Sequence, residues 1–146
     1  MRIFLKLLCS SLVLISVSIN AQNCTLDIGG KNTETMISVF QLNEAQVATL
    51  ETLRRLLAVE TGHLEERIEK LLAEHPQSTQ DELIKMADKY KVLQQEIVTV
   101  SYESDKKFLS EFNAKQYERY LQLCRAAIRR PIAVVPKVYN DSIAPK

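Results

Sequence analysis

Glycine and proline are scarce in this chain, and their scarcity limits the folds that it can adopt. The sequence contains three glycines, and between residues 40 and 130 only Gly62 and Pro76 could interrupt a helix. No segment shows the sustained alternation of polar and apolar residues, bounded by turn pairs, that half-buried strands show. The sequence therefore predicts an all-α protein.

The sequence also lacks the residue arrangements of the common catalytic sites. No serine, cysteine or histidine stands in a pattern with supporting carboxylates, and no glycine-rich phosphate loop is present. Setting aside residues 1–21 leaves 17 basic and 18 acidic residues, a formal charge of −1. Such a balance offers no net cationic face for phosphates. We therefore expect neither an enzyme nor a nucleic-acid-binding protein.

Residues 1–21 have the composition of an export signal. Arg2 and Lys6 give a basic start, residues 7–19 are largely apolar, and Ala21 offers a small residue for cleavage. The apolar run is shorter than the about 20 residues that a membrane helix needs. A retained N-terminal anchor is the alternative. We expect cleavage near Ala21, export, and no stable membrane insertion of the mature chain.

Two of the three cysteines would remain after that cleavage. Cys9 leaves with the signal, whereas Cys24 and Cys124 stay in a compartment where disulfides can persist. A bridge between them would close a loop long enough to stabilise the fold by about 4–5 kcal/mol in the chain-entropy model. The alternative is one buried thiol and one thiol in the N-terminal segment. Sequence spacing does not supply the geometry that decides between the two.

Two long helices with sevenfold apolar spacing are predicted in the middle of the chain. Residues 44–74 carry Leu50, Leu57, Leu64 and Leu71, and residues 79–110 carry Leu83, Tyr90 and Ile97. Pro76 separates the two, and Thr79 can cap the second helix. Two such seams joined by a short turn predict an antiparallel hairpin with arms about 45 Å long. Because a rod of this shape cannot bury all its apolar surface alone, we expect a homodimer.

Shorter elements flank the predicted hairpin. Residues 33–40 predict a short helix, and residues 114–129 predict a final helix that Pro131 ends. Residues 131–146 include three prolines and a β-branched run, which favour an extended or disordered tail. The chain is thus expected to consist of an export signal (1–21), a helical-hairpin domain (22–130) and a tail (131–146).

One short pattern occurs twice in the chain. The hexads are LNEAQV, at residues 42–47, and FNAKQY, at residues 112–117. Each begins and ends with an apolar residue, and within each an asparagine stands three residues before a glutamine. We expect each asparagine to cap a helix, each glutamine to reach back to the capping residue, and the apolar pair to staple the first turn. The predicted capping residues are Leu42, Asn43, Gln46 and Val47, and Phe112, Asn113, Gln116 and Tyr117.

Two copies of this pattern, an export signal and a helical hairpin together resemble the LTxxQ family of periplasmic proteins. That family includes Spy-like and CpxP-like chaperones and CnrX-like heavy-metal resistance sensors. The likeness covers about residues 36–130, with the motif written as Leu42-Asn-Glu-Ala-Gln46 and Phe112-Asn-Ala-Lys-Gln116. Asparagine replaces the family's threonine in both copies, and asparagine is an equally good N-cap. The resemblance implies a periplasmic location and a role in envelope stress.

In the chaperone branch, the resemblance implies a dimer of hairpins that holds unfolded proteins, or a sensor's ectodomain, without ATP. Such binding needs exposed apolar groups beside positive charge. The residues that could supply them are Arg54, Arg55, Arg119 and Arg125 for charge, and Phe108, Tyr117, Tyr120 and Ile128 for apolar contact. The competing interpretation is that the aromatics are core residues and the arginines a solvated rim. A structural coiled-coil partner with neither activity is a further alternative.

In the metal-sensing branch, the resemblance implies a transition-metal site. Glu60 and His63 stand one helical turn apart, a spacing that helical metal sites use. If the turn centres near residue 77, however, Glu60 faces Gln94 and His63 faces Lys91, and neither of these is a metal ligand. A polar break in the seam, or a partly exposed imidazole, is the alternative role for His63. We expect no cofactor, with Glu60 and His63 as the candidate pair should a transition metal bind.

Overall fold

The computed structural model describes residues 22–139, and within this part the protein is built almost entirely from helices. The expected all-α fold is therefore confirmed. The export signal predicted for residues 1–21 and the last part of the tail, residues 140–146, lie outside the described residues. In chain order the elements are β1 (Asn23–Cys24), α1 (Thr33–Phe40), α2 (Glu44–Glu74), α3 (Gln80–Leu109), α4 (Ala114–Ala126) and β2 (Arg130–Pro131).

Helices α2 and α3 form the predicted antiparallel hairpin, and their ends lie where the sequence placed them. Asn43 caps α2 through a hydrogen bond from the Gln46 backbone N–H, and Thr79 caps α3 in the same way through Glu82. Helix α2 ends at Glu74, with His75 as its C-cap, because Pro76 cannot continue the backbone hydrogen-bond ladder. The hairpin thus follows from local signals in the sequence.

The register between the two arms differs from the symmetrical pairing expected from the sequence. The Arg67 guanidinium lies 3.0 Å from the Glu96 carboxylate, whereas a turn centred at residue 77 would set Arg67 opposite Ala87. The difference is nine residues, about two and a half turns of helix. His75 and Thr79, on either side of the turn, have extended backbone conformations.

The shifted register corrects two further expectations about the arms. The predicted pairing of Glu60 with Gln94 and of His63 with Lys91 is wrong. Leu83 and Tyr90, which were expected in the seam, are 43% and 36% exposed. Leu83 lies in the first turn of α3, which extends past α2, and the Tyr90 hydroxyl accepts from Gln94 on its own helix. On α2 the predicted seam is correct, since Leu50, Leu57 and Leu64 are buried and Leu71 is half-buried.

The main hydrophobic core lies at one end of the hairpin, which we call the capped end: the start of α2, the end of α3, and the attached α1 and α4. Buried side chains from all these elements and from both terminal segments meet there. They are Cys24, Ile28, Met36, Phe40, Leu50, Leu57, Phe108, Leu109, Phe112, Tyr120, Cys124 and Ile132. Between residues 60 and 100, by contrast, the buried hydrophobic residues are Leu64 and Leu93. Most of the tertiary stabilisation therefore comes from the capped end.

The two terminal segments are joined at the capped end. A disulfide links Cys24 to Cys124, with the two Cα atoms 5.6 Å apart, so the bridge that the sequence left open is present. Strand β1 pairs in parallel with β2, with Asn23 opposite Arg130. A two-residue pair contributes little by itself. Its role is to hold the start of the described chain against the residues that follow α4.

Helix α4 is shorter than predicted, and the tail after it is extended but not free. The helix ends at Ala126 because Ile128 adopts a left-handed backbone conformation, with φ of 54°. The Tyr117 hydroxyl then donates to the Ile132 carbonyl, and the Ile132 N–H donates to the Tyr120 hydroxyl. Residues 131–139 are thereby held along α4, which matches the extended form of the prediction.

Candidate functional site

The two hexads meet at the capped end and are bonded to each other. Gln46 Nε2 donates to Gln116 Oε1 at 2.8 Å, and Gln116 Nε2 donates to Gln46 Oε1 at 2.9 Å. Each Nε2 also donates to a carbonyl that precedes the other hexad: Gln46 to Glu111 and Gln116 to Phe40. The hexads are therefore two helix starts joined by a reciprocal amide pair, with the polar atoms of both amides bonded.

The predicted capping roles are present, but the pairing between hexads was missed at the sequence level. Each glutamine Oε1 accepts the backbone N–H of its own capping asparagine, as a capping box requires. A signal for the pair did exist in the sequence. A glutamate can equally well accept from the capping residue at the third position of a helix, as Glu82 does in α3. Both hexads carry glutamine instead, and only glutamine can also donate a hydrogen bond from its side chain to a second partner. The apolar members lie as expected: Phe112 is buried, and Leu42, Val47 and Tyr117 are half-buried.

A buried carboxylate on α3, also missed from the sequence, holds the N-terminal segment. Asp105 accepts backbone N–H groups from Leu26 at 2.7 Å, Asp27 at 3.1 Å and Ile28 at 3.1 Å. Burial raises the pKa of Asp105, while the three backbone hydrogen bonds act in the opposite direction. This arrangement organises a turn around residues 26–28. Every polar atom of the carboxylate is used within the fold, so Asp105 is a structural residue.

Half of the residues predicted to contact a client or partner are in the wrong environment for that role. Phe108 and Tyr120 are 0% and 1% exposed, so they belong to the core, and the prediction for these two residues is wrong. Tyr117 is half-buried and bonded to the tail through its hydroxyl. Arg54 is also half-buried, donating to the Gly30 carbonyl at 2.8 Å and to Thr33 Oγ1, which fastens the loop before α1.

The remaining predicted contact residues are exposed but do not form one surface with apolar neighbours. Arg55 lies on α2 and reaches only Thr52 Oγ1, at 3.4 Å. Arg119 and Arg125 lie on the solvent side of α4, and Ile128, which follows α4, is 84% exposed. Of the eight predicted contact residues, only Arg125 and Ile128 thus stand close together as an exposed basic and apolar pair within residues 22–139, at the end of α4.

A different surface of that composition lies along the distal half of the hairpin. We call it the interarm groove: two adjoining cavities of about 660 and 580 Å³ between α2 and α3, which share Arg67 and Val92. Its apolar floor is Leu64, Leu71 and Leu93. Its rim combines both charges and consists of Glu60, His63, Arg67, Lys70, Glu74, Lys89 and Glu96. The groove is open to solvent, and Val92 in it is 58% exposed.

The candidate metal pair, Glu60 and His63, lies on the rim of this groove. His63 Nδ1 is 3.7 Å from the carboxylate of Glu66, which is exposed. The corrected register brings Glu96 to the same groove, but Glu96 is bonded to Arg67. Among residues 22–139 no group of three or more histidine, cysteine, aspartate or glutamate side chains is arranged to hold a metal ion. Glu60 and His63 therefore lack a third ligand in the part of the chain that the structure describes.

A further cavity of about 770 Å³ lies between the N-terminal segment and α3. We take the interarm groove as the candidate functional site because it combines an apolar floor with a rim of both charges along the two arms. No helix within residues 22–139 has both the length and the apolar character that crossing a membrane requires. No family model, curated protein or solved structure matches this chain. The resemblance to the LTxxQ family accordingly rests on the two hexads and on the order of the helices around them.

Proposed function

We propose that this protein is an exported stress protein that holds unfolded polypeptides without ATP, and that the interarm groove is where it holds them. The supporting observation is the open groove itself: an apolar floor of Leu64, Leu71 and Leu93 between the two arms, edged by both charges. A segment of unfolded chain can place apolar side chains on such a floor while its backbone stays solvated. Mixed charges on the rim suit clients of varied sequence.

The shape of the hairpin supports this proposal further. Large apolar side chains are exposed at several places on the arms, including Leu56, Val59, Leu72, Ile84, Val92 and Val98. Val92 among them lines the interarm groove, and exposed apolar side chains that adjoin a groove are typical of interaction sites. The distal half buries few residues, so its arms can adjust to a client at low cost. The family resemblance favours the same function, with a sensor's ectodomain as the alternative partner.

The proposal that clients bind in the interarm groove is tested with two valine-to-glutamate variants on different faces of α3. Val92 lies in the interarm groove, whereas Val98 lies on another face of α3, beside the N-terminal segment. The two valines are 58% and 59% exposed and stand on the same helix. Replacing Val92 with glutamate removes an apolar contact of about 1 kcal/mol from the groove, which is about fivefold in Kd for a client.

Suppression of aggregation of a chemically unfolded protein is the measurement. We expect the unaltered chain to suppress aggregation near equal molar ratio, Val92→Glu to require about five times more protein, and Val98→Glu to behave as the unaltered chain. Absence of suppression by the unaltered chain would refute the function. Equal loss in both variants would refute the groove as its site.

We also propose that the protein acts as a homodimer, because two hairpins can cover part of each other's exposed aliphatic surface. Sedimentation at several concentrations measures the association. A chain that stays monomeric throughout would contradict the dimer and leave the groove proposal standing. A single stable complex with one envelope protein, without any suppression of aggregation, would instead identify a structural coiled-coil partner.

A further inference from the structure

The segment that ends α4 carries a cluster of cations that the fold does not use. Arg125, Arg129 and Arg130 are all exposed, and none of the ion pairs formed within residues 22–139 involves them. Their backbone groups are used: the Arg129 N–H donates to the Cys124 carbonyl and closes the helix. Within residues 22–139 the three guanidinium groups are thus without an ion-pair partner, and Arg129 also lines the cavity beside the N-terminal segment.

Ile128 stands in the middle of this cluster in an unusual conformation. Its φ of 54° lies in the left-handed region, which β-branched residues rarely adopt and which glycine normally occupies just after a helix. The side chain packs on nothing in compensation, since it is 84% exposed. The fold therefore presents a single aliphatic side chain to solvent among three arginines. We call Arg125, Ile128, Arg129 and Arg130 the α4 tip.

The α4 tip also lies where the N-terminal part of the chain joins the fold. The Arg130 N–H donates to the Gln22 carbonyl at 3.1 Å, and Asn23 pairs with Arg130 in the parallel strands. Residues 7–19, which precede this point by a few residues, are largely apolar in sequence. The start of the described chain therefore lies directly against the α4 tip.

We propose that the α4 tip is a docking surface for an anionic phospholipid bilayer. Guanidinium groups form bidentate hydrogen bonds with phosphate oxygens, and basic residues near an anionic leaflet are attracted to its surface potential. An exposed aliphatic group between them enters the interface, as in amphipathic membrane-binding segments. A nucleic acid would use the same cations but has no use for Ile128, and the near-neutral chain offers it no extended basic face. The inference is independent of client binding in the interarm groove.

The absence of tryptophan from the chain permits a direct test with the full-length protein. Ile128→Trp places one tryptophan in the α4 tip, and Val59→Trp places one at an exposed aliphatic site on α2 that is 62% exposed. Each variant is mixed with vesicles of phosphatidylcholine alone or with phosphatidylglycerol added, and with vesicles that contain brominated acyl chains. Tryptophan emission reports whether the substituted position itself enters the bilayer, independently of any binding of residues 1–21 to the vesicle.

The proposal expects the emission of Ile128→Trp to shift to the blue, and to be quenched by brominated lipid, only with vesicles that contain phosphatidylglycerol. High salt or Arg125→Gln, Arg129→Gln and Arg130→Gln together should abolish the shift, and Val59→Trp should show none. A shift equally large with phosphatidylcholine alone, or no shift with either vesicle, overturns the proposal. A shift with heparin but none with vesicles also overturns it, because the ligand would then be a soluble polyanion.

Discussion

Gln46 and Gln116 each complete a helix cap and also bond to the opposite hexad. One amide oxygen accepts from the capping residue and from the other glutamine, while the amide nitrogen donates to that glutamine and to a backbone carbonyl. Gln46 is 2% exposed, so a donor left without a partner there would carry its full desolvation cost. The repetition of the hexad is thus explained by a contact between its two copies.

The pair predicts that glutamate cannot replace glutamine, although glutamate suits a capping box. Gln116→Glu keeps the bond to the Asn113 N–H but directs a carboxylate at Gln46 Oε1 and at the Phe40 carbonyl. We expect a loss of about 3 kcal/mol in the free energy of unfolding, measured with urea. Glu82→Gln, in the exposed capping box of α3, is the control and should change that free energy by less than about 0.5 kcal/mol. A stable Gln116→Glu variant would show that the amide pair contributes little.

Asp105 gives the fold a pH dependence whose direction follows from its raised pKa. A carboxyl group whose pKa is higher in the folded than in the unfolded state stabilises the fold below the unfolded value. That contribution is lost as the pH rises from near the ordinary value of 3.8 through the raised pKa. We therefore expect the stability of the unaltered chain, relative to Asp105→Asn, to decline across that interval. Urea unfolding of both proteins at several pH values measures the difference, and an increase with pH would mean that the three N–H groups outweigh burial.

At the scale of elements, helix ends were predictable and helix pairing was not. Helices α2, α3 and α4 each start at a capping box that spans four residues and begins with Asn43, Thr79 or Asn113. Local sequence was therefore sufficient to predict where these helices begin. The register of α2 against α3 depends instead on how residues 75–79 run. The observed register differs from the symmetrical one by about two and a half turns. The apolar heptad of α2 faces α3 in both the symmetrical and the observed register. It therefore could not indicate which residues of α3 lie opposite it.

Gly62 tests whether α2 needs an interruption. A Cβ added at Gly62 would meet nothing within 4 Å, and the residue lies inside a regular helix. Gly62→Ala should therefore raise the free energy of unfolding by about 0.5–1 kcal/mol, measured by thermal or urea unfolding. Gly29→Ala is the matched contrast, because its Cβ would lie 3.1 Å from Leu57 Cδ2 and the crowding should offset the gain. No stabilisation at Gly62 would indicate that α2 depends on local flexibility there.

At the scale of the whole molecule, the protein divides into a well-packed capped end and two sparsely packed arms. The sequence indicated the helices and the pair Cys24 and Cys124, yet it could not tell core aromatics from exposed ones. Phe108 and Tyr120 were candidates because they could supply apolar contacts beside the arginines, and both are buried in the core of the capped end. The interarm groove was missed for a related reason, since its two sides come together only in the observed register.

The disulfide is expected to contribute strongly to the stability of this capped end. It joins residues separated by 100 positions, for which the chain-entropy model gives a stabilisation of about 4–5 kcal/mol. Replacing Cys24 and Cys124 together by serine should lower the free energy of unfolding by that order. Hydrogen exchange should also show lost protection of the amides of residues 26–28, which bond to Asp105. Cys9→Ser is the control and should change neither quantity. Unchanged protection in the double variant would mean that Asp105 holds the segment without the disulfide.

The Cys24–Cys124 bridge also constrains the order in which parts of the chain can fold. Any chain made or delivered N-terminus first exposes the Cys24 thiol a hundred residues before its partner exists, and until then Cys9 is the one other cysteine within reach. The hairpin can close during this interval, because its contacts require only residues that are already present. The capped end cannot, since α4 and the residues after it complete the core. A chain interrupted before residue 124 would therefore lack the core that supplies most of the stabilisation and would keep a free Cys24 thiol, which is the state that oxidases and quality-control proteases would encounter.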